Sequence, residues 1–298
     1  MPELPEVETI ARGLGATLPG RRIVSVRLGQ VDFIDDPAAI EREIPGTKIL
    51  GVRRHGKFLL LDLQSVDGAA RECSLLVHLG MTGRLVTCDT IAPVPPHTHV
   101  FFALDDGREL RYTDVRRFGR MAIVREGFEE GILGSLGVDP LEASEDQFMA
   151  LLKIRRARIK ALLLDQSVLR GIGNIYADES LWRARIHPMR LGAHLMPKEL
   201  RRLYRAVREV LNDAIEARGS SIADYVDSDG NLGGFQRQHR VYQREGRKCF
   251  RCGATIRRAI VAGRSSHFCP RCQHAPRVRK SRRQVRSRKN GAQRVRQQ

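Results

Sequence analysis

The sequence predicts an α+β chain, and three observations carry that expectation. Residues 21–125 hold short β-type runs between turn signals, residues 144–219 hold apolar positions at helical spacing, and four cysteines cluster near the C-terminus. A length of 298 residues suits about two domains, and 42% hydrophobic residues can fill two ordinary cores.

The first expected helix covers residues 5–17, where Pro5 suits a first turn and Val7, Ile10, Ala11 and Leu14 recur at helical spacing. RIVSVRL, KILGVRRHGKFLLLDL, SLLVHLG, HTHVFFALDDGRELRYTD and RMAIVRE then alternate or run apolar, with DDG at 105–107 marking a hairpin. Such a series argues for an antiparallel sandwich or barrel. GSLGVDPLEAS reads as a Gly/Pro-containing linker, and helical text follows at 144–166, 174–186 and 197–219, with Ser144 near an N-cap. Between the first two helical stretches, GIGN at 171–174 leaves backbone N–H groups able to face a phosphate at a helix N-terminus. A tight turn between helices needs the same glycines, so the motif alone leaves both readings open. Residues 219–246 form a long Gly/Ser/Asp-rich loop. ATIRRAIVAGRSSHF reads as two strands around AGRS, which puts Arg264 at a hairpin tip.

The net charge of +18 is unevenly placed: residues 249–298 hold 15 Lys and Arg and no Asp or Glu. That is the footprint of a polyanion partner, most often nucleic acid. Residues 274–298 read as a solvated, disordered tail compatible with non-specific DNA binding. No signal peptide opens the chain, and runs such as FLLLDL and ALLL are too short to span a bilayer. A soluble, cytoplasmic protein that is not secreted is expected. The cysteines Cys249, Cys252, Cys269 and Cys272 give C-x2-C-x16-C-x2-C, the spacing of one structural Zn2+ held by four thiolates, with two disulfides as the alternative.

The opening MPELPEVE poses a chemical question. Removal of Met1 turns Pro2 into a secondary amine beside Glu3, with Glu6 close by; an acidic lead-in to a helix is the plainer reading. An α-amine titrates near 7.7–8.0, about 2.5 units below lysine, so part of it is unprotonated at neutral pH. A secondary amine attacking a sugar C1′ gives an iminium with no N–H to lose, a cationic electron sink that acidifies the C2′ proton. Glu3 is the candidate proton donor.

These stretches occur together with HGKFLLL at 55–61, VHLGMTG at 77–83, DVRRFG at 114–119, GIGNIYADE at 171–179 and AGRSSHFCPRCQ at 262–273. In this set and order the sequence resembles the formamidopyrimidine-DNA glycosylase family (Fpg/MutM), 8-oxoguanine DNA glycosylase/AP lyases, over residues 1–273. The resemblance implies an N-terminal catalytic antiparallel β-sandwich with its leading helix over 1–134, a linker at 135–141, and a helix-two-turn-helix domain with a damage-reading loop over 142–240. A four-cysteine zinc-finger hairpin at 241–273 and the basic tail at 274–298 complete it.

The resemblance further implies a monomer acting on double-stranded DNA that carries oxidised bases or abasic sites. Pro2 would be the Schiff-base nucleophile, Glu3 the proton donor and Glu6 its support. Lys57 would assist β-elimination and Arg264 δ-elimination. Asn174 and His78 would be phosphate ligands, and His97 and Arg155 would touch DNA outside the chemistry. An extruded base leaves a gap in the stack; Met81, Arg116 and Phe118 would fill it. Pattern alone reads Met81 as core and Phe118 as strand packing.

Leu4 stands where the endonuclease VIII branch has glycine, and the Arg-x-Phe wedge is present, which favours purine lesions. SSIADY departs from the commoner Thr-Thr-Leu-type text of the damage-reading loop. Two other readings stay open: an oxidised-pyrimidine glycosylase, and a non-catalytic binder of damaged DNA. A zinc-ribbon RNA-associated protein would explain residues 249–298 and leave the first 240 unexplained.

Overall fold

The structure, a computed structural model, describes residues 1–65, 72–125, 131 and 133–276. Helix α1 (Leu4–Thr17) comes first, followed by β1 (Ile23–Leu28), a short α2 (Pro37–Glu43), β2 (Lys48–His55), β3 (Phe58–Gln64), β4 (Glu72–His78), β5 (Arg84–Asp89), β6 (Thr98–Leu104), β7 (Arg108–Thr113) and β8 (Arg120–Arg125). The strands form two antiparallel four-stranded sheets, β1-β6-β7-β5 and β2-β3-β4-β8. The expected hairpin at DDG is the β6–β7 connection. Leu59, Leu61 and Leu63 of β3 alternate toward Val100, Phe102 and Tyr112 of the other sheet, so period-2 patterning makes the sandwich core. Leu60, between them, faces outward and is buried under Leu133, which explains why FLLL at 58–61 runs apolar instead of alternating.

The helical half comprises α3 (Glu145–Lys153), α4 (Ile159–Leu164), α5 (Asn174–Arg183) and α6 (Pro197–Glu216). Ser144 caps α3, its Oγ accepting from Gln147 N at 3.2 Å. The single helical stretch read over 144–166 is two helices. Its middle, residues 154–158, bonds instead to residues 190–193: Gly192 N donates to Ala157 O and Ala193 N to Arg155 O. On α6, Leu200, Leu203, Val207, Val210, Leu211 and Ala214 face the helical core and arginines face out.

One helix ties the halves together. Val7, Ile10, Ala11 and Leu14 of α1 sit in the sandwich core, whereas Leu4, its first residue, sits in the helical core. A buried ion-pair chain repeats the link: Arg54 on β2 holds Glu8 of α1 at 2.7 Å and Asp139 at 2.6 Å. Strands β9 (Arg257–Val261) and β10 (Arg264–Phe268) form the C-terminal hairpin, whose small core includes Cys249, Ile256, Cys269 and Trp182 of α5. Of the expected basic tail, residues 277–298 lie outside the described residues. Among the described residues, no helix is long and apolar enough to cross a membrane.

Candidate active site and nucleic-acid face

A cavity of about 540 Å³ opens where α1 begins, and Pro2, Glu3, Glu6, Lys57, Met81, Asn174 and Arg264 all line it. Three local structures deliver them. His55 pairs with Phe58, so Lys57 sits on the two-residue β2–β3 turn. Val261 pairs with Arg264, so Ala262 and Gly263 form an equally tight turn on the hairpin. The third is the Gly-x-Gly turn, against which the N-terminus lies.

That turn meets the N-terminus directly. The first-turn N–H groups of α5 bond to Glu3: Ile175 N donates to Oε1 at 3.0 Å and Tyr176 N to Oε2 at 3.4 Å. A Cβ on Gly173 would lie 2.3 Å from Glu3 Cδ, and one on Gly171 would lie 2.8 Å from Leu4 Cδ1. Gly171 also has φ +94, and its carbonyl accepts from Leu4 N at 3.0 Å. The glycines therefore give the N-terminal carboxylate its seat on the helix N-terminus.

Burial raises the pKa of Glu3, opposed by the charge of Lys57 and by the two N–H donors. A carboxyl held that way keeps its proton more readily than an exposed one, as a general acid must. Glu6 is also buried; it accepts from Glu3 N at 2.8 Å, Ser220 N at 2.7 Å and closely from the Tyr176 hydroxyl. Burial and the neighbouring Glu3 charge push Glu6 up to about 7. Behind it, Ser220 Oγ meets His239 Nε2 at 3.1 Å, and burial lowers His239 to about 4, so the imidazole is neutral. Burial lowers Lys57, partly offset by Glu3, and Arg264 lowers it further, which brings the amine closer to proton exchange at neutral pH.

The three expected wedge residues meet outside the β sheets. Arg116 Nη1 lies 3.3 Å from Met81 Sδ, and its guanidinium stacks 4.4 Å from the Phe118 ring centroid. Met81 is 43% exposed and Phe118 56%, so neither is core packing. Buried Asp114 organises the group: it accepts from Tyr112 OH at 3.1 Å, Arg116 N at 3.2 Å, Gly119 N at 2.9 Å and closely from the Thr82 hydroxyl. His78, His97 and Arg155 are not among the cavity's lining. His78 packs at a tilt against Phe58 with ring centroids 4.9 Å apart, and His97 is exposed with φ +63. Arg155 Nη1 donates to Leu151 O at 2.6 Å at the end of α3.

Sequence reasoning missed the pair that fixes the hairpin. Lys160 Nζ lies 2.6 Å from Asp178 Oδ1 and donates to Ser265 O at 2.6 Å, while His267 N donates to Asp178 Oδ2 at 2.8 Å. The adjacent Glu179 accepts from the backbone N–H groups of Arg240, Val241 and Tyr242, and Tyr242 lines the cavity. The available signal was two consecutive acids, Asp178 and Glu179, in an otherwise buried helix. Asp178→Asn leaves the Lys160 ammonium buried without its counter-charge and is expected to destabilise the protein by about 3–5 kcal/mol, read by denaturant titration.

All six cysteines are free, which removes the disulfide alternative. The Sγ atoms of Cys249, Cys252, Cys269 and Cys272 all lie within 4.8 Å of one another. Four Zn–S bonds of about 2.3 Å in a tetrahedron put sulfurs about 3.8 Å apart, so the cluster fits one structural Zn2+. The hairpin's own core is small, so the metal supplies much of its folding energy. Chelating the zinc is expected to unfold the hairpin and release Arg264. Circular dichroism and DNA titration should register the loss, while the sandwich keeps its own transition.

Three family profiles match the chain in order: the formamidopyrimidine-DNA glycosylase N-terminal domain at residues 1–121, the formamidopyrimidine-DNA glycosylase H2TH domain at 136–226, and the zinc finger found in FPG and IleRS at 246–275. The formamidopyrimidine-DNA glycosylase of Pelotomaculum thermopropionicum is 47% identical over 279 residues, which cover 92% of this chain and 99% of that protein. Among solved structures, a Lactococcus lactis Fpg variant bound to Fapy-dG-containing DNA superposes with a TM-score of 0.83 at 34% identity, covering 92% of this chain and 100% of that one. The MutM (Fpg) protein of Thermus thermophilus gives 0.80 at 43% identity, covering 93% and 100%. The sandwich, the helical unit and the four-cysteine hairpin thus recur in these proteins in the same order, and the chain belongs to the formamidopyrimidine-DNA glycosylase family.

Proposed function

We propose that this chain is a bifunctional DNA glycosylase/AP lyase of base excision repair that releases oxidised purines, 8-oxoguanine and formamidopyrimidines, and cuts the strand by β,δ-elimination. The single observation that carries the reading is Glu3: a buried carboxyl on the N-terminus of α5, adjacent in sequence to Pro2, in a cavity that Lys57 and Arg264 also line. In the proposed reaction Met1 is removed and the Pro2 nitrogen attacks C1′. The C1′–N9 bond breaks with its electron pair leaving on the base, and Glu3 delivers a proton to the departing base or the opening sugar oxygen. The Pro2 nitrogen loses its proton, and the C1′–O4′ bond breaks with its electron pair on the protonated sugar oxygen, which leaves the Pro2 iminium; the Glu3 carboxylate left by the first proton transfer takes the C2′ proton as the 3′ phosphate departs, and loss of the C4′ proton expels the 5′ phosphate. Lys57 and Arg264, both cationic, face the phosphates, and Asn174 at the start of α5 adds a donor.

Met81, Arg116 and Phe118 would enter the space of the extruded nucleotide, two apolar side chains replacing lost stacking and the guanidinium facing the orphaned base. His78, His97 and Arg155 are assigned to the DNA backbone. The site of action is the cytoplasm. Paired duplexes carrying 8-oxoguanine or an oxidised pyrimidine test the reading. Cleavage of the purine lesion with phosphate on both sides of the gap is expected; a preference for the oxidised pyrimidine would contradict the assigned substrate class.

A further inference from the structure

A buried imidazole beside the cavity has no part in the steps above. His239 follows the short 3-10 helix Phe235–Gln238, and its ring meets those of Phe235 and Tyr242 edge-on, with centroids 5.6 and 5.5 Å apart. An aliphatic side chain would fill that aromatic pocket with no polar atom to satisfy, so the imidazole is explained by what its nitrogen meets. Nε2 lies 3.1 Å from Ser220 Oγ, which lies 3.5 Å from the Tyr176 hydroxyl, and that hydroxyl donates closely to Glu6 Oε1. Ser220 also donates its backbone N–H to the same Glu6 oxygen at 2.7 Å. The other Glu6 oxygen accepts from Glu3 N at 2.8 Å, one residue from the Pro2 nitrogen.

Counting protons gives this chain a direction. Tyr176 has one hydroxyl proton, and Glu6, the closer acceptor, takes it. The serine proton therefore fills the contact with Tyr176, and His239 donates Nε2–H to Ser220 Oγ, an order assigned from the hydrogen-bond network. Each donation strengthens the next, and the last lands on a carboxylate. Burial and the Glu3 charge work the other way and push Glu6 up to about 7. Around Glu6 stand Glu3, Tyr176, Ser220, Tyr225 and Lys57; around His239 stand Phe235, Tyr242 and Arg244. Burial lowers His239 to about 4 and raises Tyr176 and Tyr225, so Glu6 is the member of the chain that titrates near neutrality.

We propose that His239 is a positioning residue for the reaction at Pro2: acting through Ser220 and Tyr176, it holds the Glu6 carboxylate in place to take the proton that the Pro2 nitrogen sheds as its bond to C1′ forms. The nitrogen lone pair makes the N–C1′ bond, the proton passes to a Glu6 oxygen, and the N–H electron pair returns to nitrogen, where the iminium later draws on it. His239 has this role only where Pro2 is the nucleophile, as proposed above.

Single-turnover cleavage of an abasic duplex, which needs no base protonated by Glu3, would be followed from about pH 5.5 to 8.5. The processed full chain would be compared with His239→Leu, His239→Gln, Ser220→Ala and the Ser220→Ala/His239→Leu pair. His239→Leu is expected to cut about threefold more slowly at the acid end, within the worth of one neutral hydrogen bond, and to approach the unmodified chain at the alkaline end. Its acid limb should move up by about half a pH unit, because Glu6 with a weakened donor binds its proton more tightly. Gln Nε2 can donate where His239 Nε2 does, so His239→Gln should restore the limb. Ser220→Ala keeps the backbone N–H to Glu6 and leaves the aromatic pocket untouched; it should match His239→Leu, and the double variant should fall no further than either. A rate lowered equally at every pH, or losses that multiply in the double variant, would overturn the proposal by showing only looser packing. Borohydride trapping of the unmodified chain in the same assay separates the two readings: an adduct on Pro2 with an unmoved limb removes His239 alone, whereas no adduct removes Pro2 and His239 together.

Discussion

A chain with one residue fixed permanently ahead of Pro2 is expected to bind abasic-site DNA with near-normal affinity and to cut none of it. With Met1 attached, the Pro2 nitrogen is a tertiary amide: its lone pair is delocalised into the carbonyl and it has no proton to exchange. No other residue lining the cavity would, once Met1 is removed, offer a secondary amine of α-amine basicity next in sequence to the proton donor Glu3. Lys57 is the nearest competitor, with a pKa lowered by burial, yet its primary amine would give a different intermediate from a different place. The check compares an N-terminally extended chain with the processed one in single-turnover strand scission. Equal rates would remove the amine from the mechanism.

Glu3→Gln is expected to slow base release by about 10²–10⁴-fold, the range for loss of a positioned general acid, while a pre-formed abasic site is still cut at a much less reduced rate. The substitution keeps the side-chain length, and Gln Oε1 can still accept from Ile175 N, so the seat on α5 survives. The ring-opened or hydrated sugar of an abasic site needs no base protonated, which is why the two substrates separate the roles. Equal loss on both would mean that Glu3 acts by shaping the cavity alone.

Much of this was legible in the sequence because local pattern and tertiary demand agree. The apolar runs of β3 and β4 and the helical spacing of Val7, Ile10 and Leu14 each match what is buried. Where distant backbone decides, pattern fails. The break between α3 and α4 comes from hydrogen bonds to residues 190–193, and nothing in IRRAR announces it. β5 pairs with β7 and escaped notice because only Leu85 of its residues is buried. The GIGN motif left two readings because its partner, Glu3, lies 172 residues upstream of Ile175. Asp178 and Lys160 are separated by 18 residues on two helices and meet only where α4 packs on α5. The Met81, Arg116 and Phe118 cluster is set by Asp114, whose acceptor role is invisible without the loop geometry.

The central claim is that the amine at the N-terminus forms the covalent link to the damaged nucleotide. Borohydride reduction during turnover of a duplex with a single 8-oxoguanine would freeze the iminium as a stable amine, and mass spectrometry of the digested adduct would locate it. The account predicts a sugar fragment on the nitrogen of an N-terminal Pro2 that has lost Met1. An adduct on Lys57, or none on either the 8-oxoguanine or an abasic duplex despite tight binding, would contradict it.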